Sequence, residues 1–349
     1  MTRTSAELTA DLVDVFSVSG SEGEITDLVE SALRPFPHLE VLRDGDAVIA
    51  RTNLGRARRA VIAGHLDTVP VNDNLPSRLD ADGILWGRGT TDMKGGCAIL
   101  LKLAVELTDP AVDVTWVWYD NEEVASEFNG LGRVSRHHPE WLAADFAILA
   151  EPTDAEIEGG CNGTLRAEVR TTGKRAHSAR AWAGENAIHN AAPILQLLQG
   201  YEAATIEVDG LEYREGLSAV GISGGVAGNV VPDEAVVTVN YRFAPDKSGA
   251  YAERYIRDLF AGYDITITDL ADGARPGLDD PLAQAFVAAI GSEPRPKYGW
   301  TDVARFSALG IPAINYGPGD PALAHADDER VPVEQIERVE AGLRAWLSF

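Results

Sequence analysis

Basic residues are scarce. Thirty Lys and Arg stand against fifty-four Asp and Glu in 349 residues, a formal net charge of -24. Binding to nucleic acid or to anionic lipid needs a basic face, so this balance argues against both classes. The acidic excess identifies no substrate, because a negative surface is also a common solubility device. Cysteine is scarcer still: Cys97 and Cys161 stand alone, neither in a CxxC pattern, which rules out a disulfide framework. A chain of this length builds its core without such staples. No run approaches the roughly eighteen consecutive apolar residues of a membrane span. The opening MTRTSAELTADLVDVFSVSG lacks the basic head and apolar stretch of a signal peptide. The expectation is a soluble cytoplasmic protein with no nucleic-acid or membrane partner. With 45% hydrophobic residues the chain is otherwise ordinary, and its length suggests two domains of about one to two hundred residues each.

Residues 5–16 carry apolar positions at helical spacing behind Ser5, a predicted N-cap, and 24–34 reads as a second helix. Three short apolar runs follow, at 60–64, 112–119 and 145–150, each bounded by polar or turn residues as in strands buried on both faces. Predicted helices at 95–107 and 128–138 alternate with them, which means a largely parallel sheet with crossover helices. Near Leu165 the pattern changes. LRAEVRTTG and EAVVTVNYRF (234–243) alternate apolar with polar, as in an antiparallel sheet with one covered face. Helices are expected at 186–198 and 249–261. The buried pattern then returns with helices 281–290 and 302–309 and a strand at 311–316. The fold class is therefore α/β. A mainly parallel catalytic domain, 1–165 and 275–349, is interrupted by an inserted α+β domain at 166–274, an antiparallel sheet with two helices.

Chemistry-bearing residues follow the predicted strands directly. His65 and Asp67 follow 60–64, Glu122 and Glu123 follow 112–119, and Glu151 follows 145–150. Asp92 sits in the glycine-rich GRGTTDMKGG, which opens a helix, and His325 comes after 311–316 through Gly317-Pro318-Gly319. The C-terminal ends of parallel strands share one edge, where open α/β sheets bind ligands. Taken singly, Asp67 reads as a turn residue, Asp92 as a helix cap and Glu122–Glu123 as a solvated turn. Jointly they gather carboxylates whose repulsion needs cations to neutralise it. Histidine and carboxylate ligands with an open position mark catalytic rather than structural zinc.

These residues resemble a known family, the M20 peptidase-like di-zinc amidohydrolases. The matching pieces are GHLDTVP, GRGTTDMKGG, NEE, AEPT and GPGDPALAHADDE, in order across the whole chain. Three further stretches are similar to the actinobacterial branch that acts on a succinylated diamino acid: HSARAWAGENAIHNAAPIL, GNVVPDEAVVTVNYRFAPD and GWTDVARFSALGIPAINYGPGDPALAHADDE. The resemblance implies metal-dependent hydrolysis of N-succinyl-LL-2,6-diaminopimelate to succinate and LL-2,6-diaminopimelate, a step of lysine and diaminopimelate biosynthesis. It also implies two Zn2+ per subunit, with Co2+ as a substitute. His65 and Glu151 would complete one metal site and Glu123 and His325 the other, with Asp92 bridging. Asp67 would orient His65, Glu122 would act as general base, and a cis peptide would follow Asp92. The inserted domain would serve dimerisation and act as a lid. His177 would reach the active site of the partner in a homodimer and donate to the oxyanion.

The same residues make sense as chemistry. Two Zn2+ ions balance the carboxylates of Asp92, Glu123 and Glu151 plus one hydroxide. Zinc brings the pKa of its water from 15.7 to about 7, and Glu122 can take that proton and pass it to the leaving amine. A small-molecule substrate with several carboxylates calls for cationic and amide donors. The candidates are Arg242, Asn229, Thr301 and the backbone of Gly317 and Gly319, with Arg180 and Arg305 as further possibilities. Asn162 stands just before Gly163-Thr164, near where many relatives of the resembled family carry arginine, which leaves the acyl-carboxylate contact open. Of the remaining histidines, His38 is expected at the surface, His137 and His138 at a helix end, and His189 in helix packing. Acetylornithine deacetylases, aminoacylases and dipeptidases share the metal ligands and remain alternatives. From another class, so does a metal-binding dimer without catalysis.

Overall fold

The computed structural model describes residues 3–348. The chain divides into two compact units: one holds the chain up to Gly159, Pro276–Arg295 and the stretch from Thr301 on, the other Gly160–Arg275 and Pro296–Trp300.

In the first unit the largest sheet runs in the order Glu40–Asp44, Ala47–Arg51, Asp113–Tyr119, Arg59–His65, Phe146–Leu149, Ala313–Asn315, Glu158–Gly159. The central four strands, Asp113–Tyr119 to Ala313–Asn315, are parallel, and the flanking pairings are antiparallel. All seven residues of Asp113–Tyr119 are buried, as befits a strand covered on both faces. Helices Ser5–Val13, Gly23–Leu33, Gly95–Glu106, Pro281–Ile290 and Val333–Leu347 contribute to one apolar core with that sheet.

Several local expectations are corrected. The first helix ends at Val13, and its cap is Thr4 rather than Ser5: the Thr4 hydroxyl accepts the Glu7 N–H while the Glu7 carboxylate accepts the Thr4 N–H. The helix expected at 186–198 is broken into Ala187–Asn190 and Ala192–Gln199. Pro193 has no N–H to continue the ladder. His189 on it is exposed instead of packed. His38 is half-buried, its Nε2 2.9 Å from the Ala104 carbonyl.

The second unit is a four-stranded antiparallel sheet in the order Gly216–Gly224, Glu234–Phe243, Gly163–Thr172, Asp264–Ala271. Alternate residues Leu165, Ala167, Val169 and Val237, Val239, Tyr241 form its apolar face, covered by the helices Ala192–Gln199 and Gly249–Leu259. Residues 160–165 belong here rather than to the larger unit, because Gly163–Thr172 pairs with Glu234–Phe243 along its full length. Pro296–Trp300 also belongs to this unit, where the Asn162 N–H donates to the Lys297 carbonyl and the Trp300 indole to the Asp272 carbonyl. Among the described residues, Gly216–Gly224 is an edge strand, paired on one side only.

Candidate metal centre and active site

Parallel pairing brings the C-terminal ends of the four central strands to one edge, and with them the loops that follow. His65 ends Arg59–His65, and Glu122 and Glu123 follow Tyr119 by three and four residues. Glu151 follows Leu149 by two. Asp92 arrives from a tight turn, Thr90–Lys94, in which its own φ -119 and ψ 94 are non-helical and the Asp92–Met93 peptide is cis. That turn leads straight into the helix Gly95–Glu106. A Cβ on Gly96 would lie 2.5 Å from the Ala150 carbonyl oxygen, so only glycine lets the helix start this close to the strand that delivers Glu151. Gly317 is constrained in the same way by the carbonyls of Ala150 and Glu151.

Three groups of side chains present ligand atoms that all lie within 4.8 Å of one another: His65, Asp92 and Glu151; Asp92, Glu123 and His325; His65, Glu122 and Glu123. Asp92 belongs to the first two. Its Oδ1 is 3.1 Å from His65 Nε2 and its Oδ2 is 3.4 Å from His325 Nε2, so each oxygen faces one histidine. His325 Nε2 also lies 2.9 Å from Glu123 Oε1. His65 is buried, and its Nδ1 lies 3.0 Å from the Asp67 backbone carbonyl and 3.5 Å from the Asp67 carboxylate. Donation from Nδ1 to that carbonyl leaves Nε2 to face Asp92 as a ligand atom. The fully buried Asp67 carboxylate accepts the Ser19 hydroxyl at 2.7 Å and the backbone N–H groups of Glu122 and Glu123 at 2.9 and 3.0 Å.

The electrostatics show how strongly this cluster demands positive charge. Burial works against a charged His65, yet its contacts to Asp67 and Asp92 outweigh burial and hold the imidazole well above its ordinary range. Hydrogen bonds to Asp92 and Glu123 lift His325 to about 10. Both imidazoles are thus shifted toward the charged form by the same carboxylates that a cation would satisfy. Glu122 is pushed well above the usual carboxylate range, chiefly by burial; His65 counters this while Asp302, Glu151 and Glu123 add to it. A donor set of two imidazoles and three carboxylates, with Asp92 common to two groups, fits a pair of divalent cations.

The remaining expected residues fall outside these three ligand groups. His177, Asn229 and Arg242 belong to the second unit. His177 is exposed, and its Nδ1 accepts the Ala179 N–H at 3.1 Å. Arg242 is half-buried, with Nε bonded to Asn240 Oδ1 at 3.1 Å; burial, then the neighbouring Arg166, lower its pKa. Asn229 is exposed, and its carbonyl accepts the Ser178 N–H. Arg180 is exposed. Thr301, in the first unit, donates its hydroxyl to Asn315 Oδ1 at 2.8 Å. The Gly317 N–H already donates to the Thr153 hydroxyl and the Gly319 N–H to Gln335 Oε1. These two glycines therefore shape the loop instead of offering free donors. Arg305 pairs with Asp302.

Two buried carboxylates that hold the Asn121–Asn129 loop went unrecognised in the sequence. Glu22 Oε1 accepts the Asn121 N–H at 3.0 Å, so with Asp67 it grips three successive N–H groups of the Asn121–Glu123 turn. Asp302, fully buried, accepts from Asn129 Nδ2 at 2.9 Å and ties down the far end of the same loop. Neither carries a local signal, because each acts on a loop roughly a hundred or more residues away in the chain.

Residues 61–348 match peptidase family M20/M25/M40. The chain belongs to this family. Two relatives run nearly its full length. A Mycobacterium tuberculosis protein named DapE is 56% identical over 344 residues, covering 98% of this chain and 97% of its own. The Corynebacterium glutamicum succinyl-diaminopimelate desuccinylase is 49% identical over 352 residues, covering 98% and 95%. Among solved structures, a Staphylococcus aureus tripeptidase superposes with TM-score 0.80 at 20% identity, covering 98% of this chain and 96% of that one. A Bacillus subtilis dinuclear metal-binding M20 peptidase does so with TM-score 0.72 at 18% identity, covering 98% and 96%. At these identities the structural likeness establishes the fold.

Proposed function

We propose that this chain is a metal-dependent amide hydrolase that converts N-succinyl-LL-2,6-diaminopimelate to succinate and LL-2,6-diaminopimelate, a succinyl-diaminopimelate desuccinylase. The carrying observation is that the cluster of two histidines and three carboxylates built around Asp92 occurs in a chain matched end to end by relatives at 56% and 49% identity. His65 and Glu151 would hold one divalent cation and Glu123 and His325 the other, with Asp92 available to both. We assign Zn2+, with Co2+ as a substitute. When bound, the cations supply Lewis acidity and a water acidified toward neutral pH.

The residues of the chain do the rest. Asp67 orients His65 through its own carbonyl and carboxylate, and it fixes the peptides of Glu122 and Glu123. Glu122 takes a proton from the attacking water and delivers it to the leaving amine nitrogen. His177 supplies a donor: Nδ1 is already an acceptor for the Ala179 N–H, so in the neutral ring the proton sits on Nε2. Arg242, half-buried with Asn240 as its bonded partner and Arg166 beside it, suits a substrate carboxylate.

The reading includes a homodimer in which His177 serves the partner subunit. The second unit supports this with a free strand edge, Gly216–Gly224, on which Val220 and Ile222 are 59% and 55% exposed. Such an edge is a template for pairing with a second copy. The function is tested by kcat/KM of the Zn2+-loaded protein on N-succinyl-LL-2,6-diaminopimelate, N-acetylornithine and a set of dipeptides. The succinyl substrate should lead. A higher value for acetylornithine or for any dipeptide would reassign the activity, and no turnover of any of them would favour a binding protein.

A further inference from the structure

The turn that carries Asp92 is gripped from behind by a buried ion pair lying outside all three ligand groups. Glu329 Oε1 accepts the backbone N–H of Thr91 at 3.0 Å and of Asp92 at 3.1 Å, and Oε2 meets Arg88 Nη1 at 2.8 Å. The two side chains are 1% and 3% exposed. The same segments are tied twice more, by the Gly87 N–H to the Glu329 carbonyl at 3.1 Å and by the Thr91 hydroxyl to the Arg330 carbonyl at 2.7 Å.

Stability is a weak reason for such a pair. Taking both charges out of water offsets most of their attraction, and an apolar pair of equal volume often does as well. Here Arg88 Nε is also buried without a hydrogen bond, a further cost. What the pair does supply is direction. Pinning two successive N–H groups fixes the Thr91–Asp92 peptide plane, and with it the bond from which the Asp92 carboxylate projects. Asp92 needs this because its own backbone is non-helical and no helix ladder holds it. Glu329 also stands four residues after His325, whose φ of +66 marks a loop without regular support. One buried carboxylate therefore ties the shared ligand to the loop that brings the outer histidine.

We propose that Glu329, backed by Arg88, is a positioning residue: it aims the Asp92 carboxylate and couples it to the His325 loop, so that cation affinity at the Asp92–Glu123–His325 position depends on it most. The affinity part rests on the di-cation reading above; the aiming part does not.

The test compares wild type with Glu329→Gln, Glu329→Asp and Arg88→Lys. One measurement is amide hydrogen exchange in the chelator-stripped protein, and the other is calorimetric titration of that protein with Zn2+. Glu329→Gln must turn an amide nitrogen toward either a backbone N–H or Arg88. It should raise exchange at Thr91 and Asp92 by tenfold or more while strands Arg59–His65 and Asp113–Tyr119 keep wild-type protection. The weaker Zn2+ affinity should fall roughly 10–100-fold, the usual cost of losing a partner behind a metal ligand, and the tighter one by less. Glu329→Asp and Arg88→Lys, which keep the charges, should fall between. Unchanged exchange at Thr91 and Asp92 would overturn the proposal. So would a general loss of protection with both affinities intact, the mark of a merely structural pair. If Glu329→Gln does not fold, Glu329→Asp and Arg88→Lys decide by the same two readings. Wild type that takes up no Zn2+ would instead overturn the di-cation reading, and the exchange result would then settle the aiming role alone.

Discussion

Glu122 and Glu123 are neighbours with different surroundings, and the proposed mechanism gives them different work. Glu123 meets His325 at 2.9 Å. Glu122, raised by burial and by the acidic groups around it, is poised to hold a proton. Replacing Glu122 with Gln preserves shape but removes the base, so kcat should drop by about 10²–10⁴-fold. Bound Zn2+, counted by elemental analysis, should stay at the wild-type level; loss of metal in this variant would exchange the two roles. The histidines give a pH prediction. Ligation needs neutral imidazole, whereas the metal-free chain keeps His65 and His325 protonated above their ordinary value, His325 up to about 10. Cation uptake near neutral pH should therefore release protons, and apparent affinity should climb with pH through this range. In the metal-free chain the sign for folding is opposite. A raised imidazole pKa favours folding fully below the unfolded value, and that contribution is lost as pH rises toward about 10. Calorimetry in buffers of different ionisation enthalpy counts the protons; uptake with no release at pH 7 would contradict the electrostatic picture.

Elements differ in how plainly the sequence announces them. The central strands are legible because burial on both faces demands continuous apolar runs, as in the fully buried Asp113–Tyr119. The hairpin of Glu40–Asp44 and Ala47–Arg51 is not, because its outer strand is only half-buried and carries Arg43 and Asp44. Gly216–Gly224 escapes for a similar reason: most of it is exposed, and three glycines interrupt any alternation. The helix Val333–Leu347 did carry a signal, with buried Ile336, Val339, Leu343 and Trp346 at helical spacing. The candidate ligands were legible because each follows a readable strand or lies in or after a glycine-rich turn. Glu22 and Asp302 were not, since only the folded chain brings them to the Asn121–Asn129 loop. The exposed edge strand yields a prediction of its own. Val220→Lys and Ile222→Lys place charges where the side chains already face solvent, so the fold should persist. If the proposed dimer pairs along this edge, sedimentation should nevertheless show a wild-type dimer and a monomeric variant. A double variant that stays dimeric would move the interface elsewhere.

At the scale of the whole molecule, the proposed mechanism draws on residues of both units: His65, Asp92, Glu122, Glu123, Glu151 and His325 belong to the first, His177 and Arg242 to the second. If His177 serves the partner subunit, two inactive variants should rescue each other. In a dimer of Glu122→Gln with His177→Ala, the site built on the His177→Ala chain keeps its own Glu122 and receives His177 from its partner. Random assembly makes about half the dimers mixed, each with one intact site of two, so roughly a quarter of wild-type activity should return. Differently tagged chains verify the mixing, and no gain in verified mixed dimers would refute the assignment in trans. The central claim is amide hydrolysis by a paired-cation centre. It is tested most directly by quantifying succinate and LL-2,6-diaminopimelate released from N-succinyl-LL-2,6-diaminopimelate by protein stripped with chelator and then reloaded with Zn2+. The account predicts equal amounts of the two products, no release by the stripped protein, and recovery on reloading. Protein that binds Zn2+ in full and releases neither product, or that releases both when stripped, would contradict it.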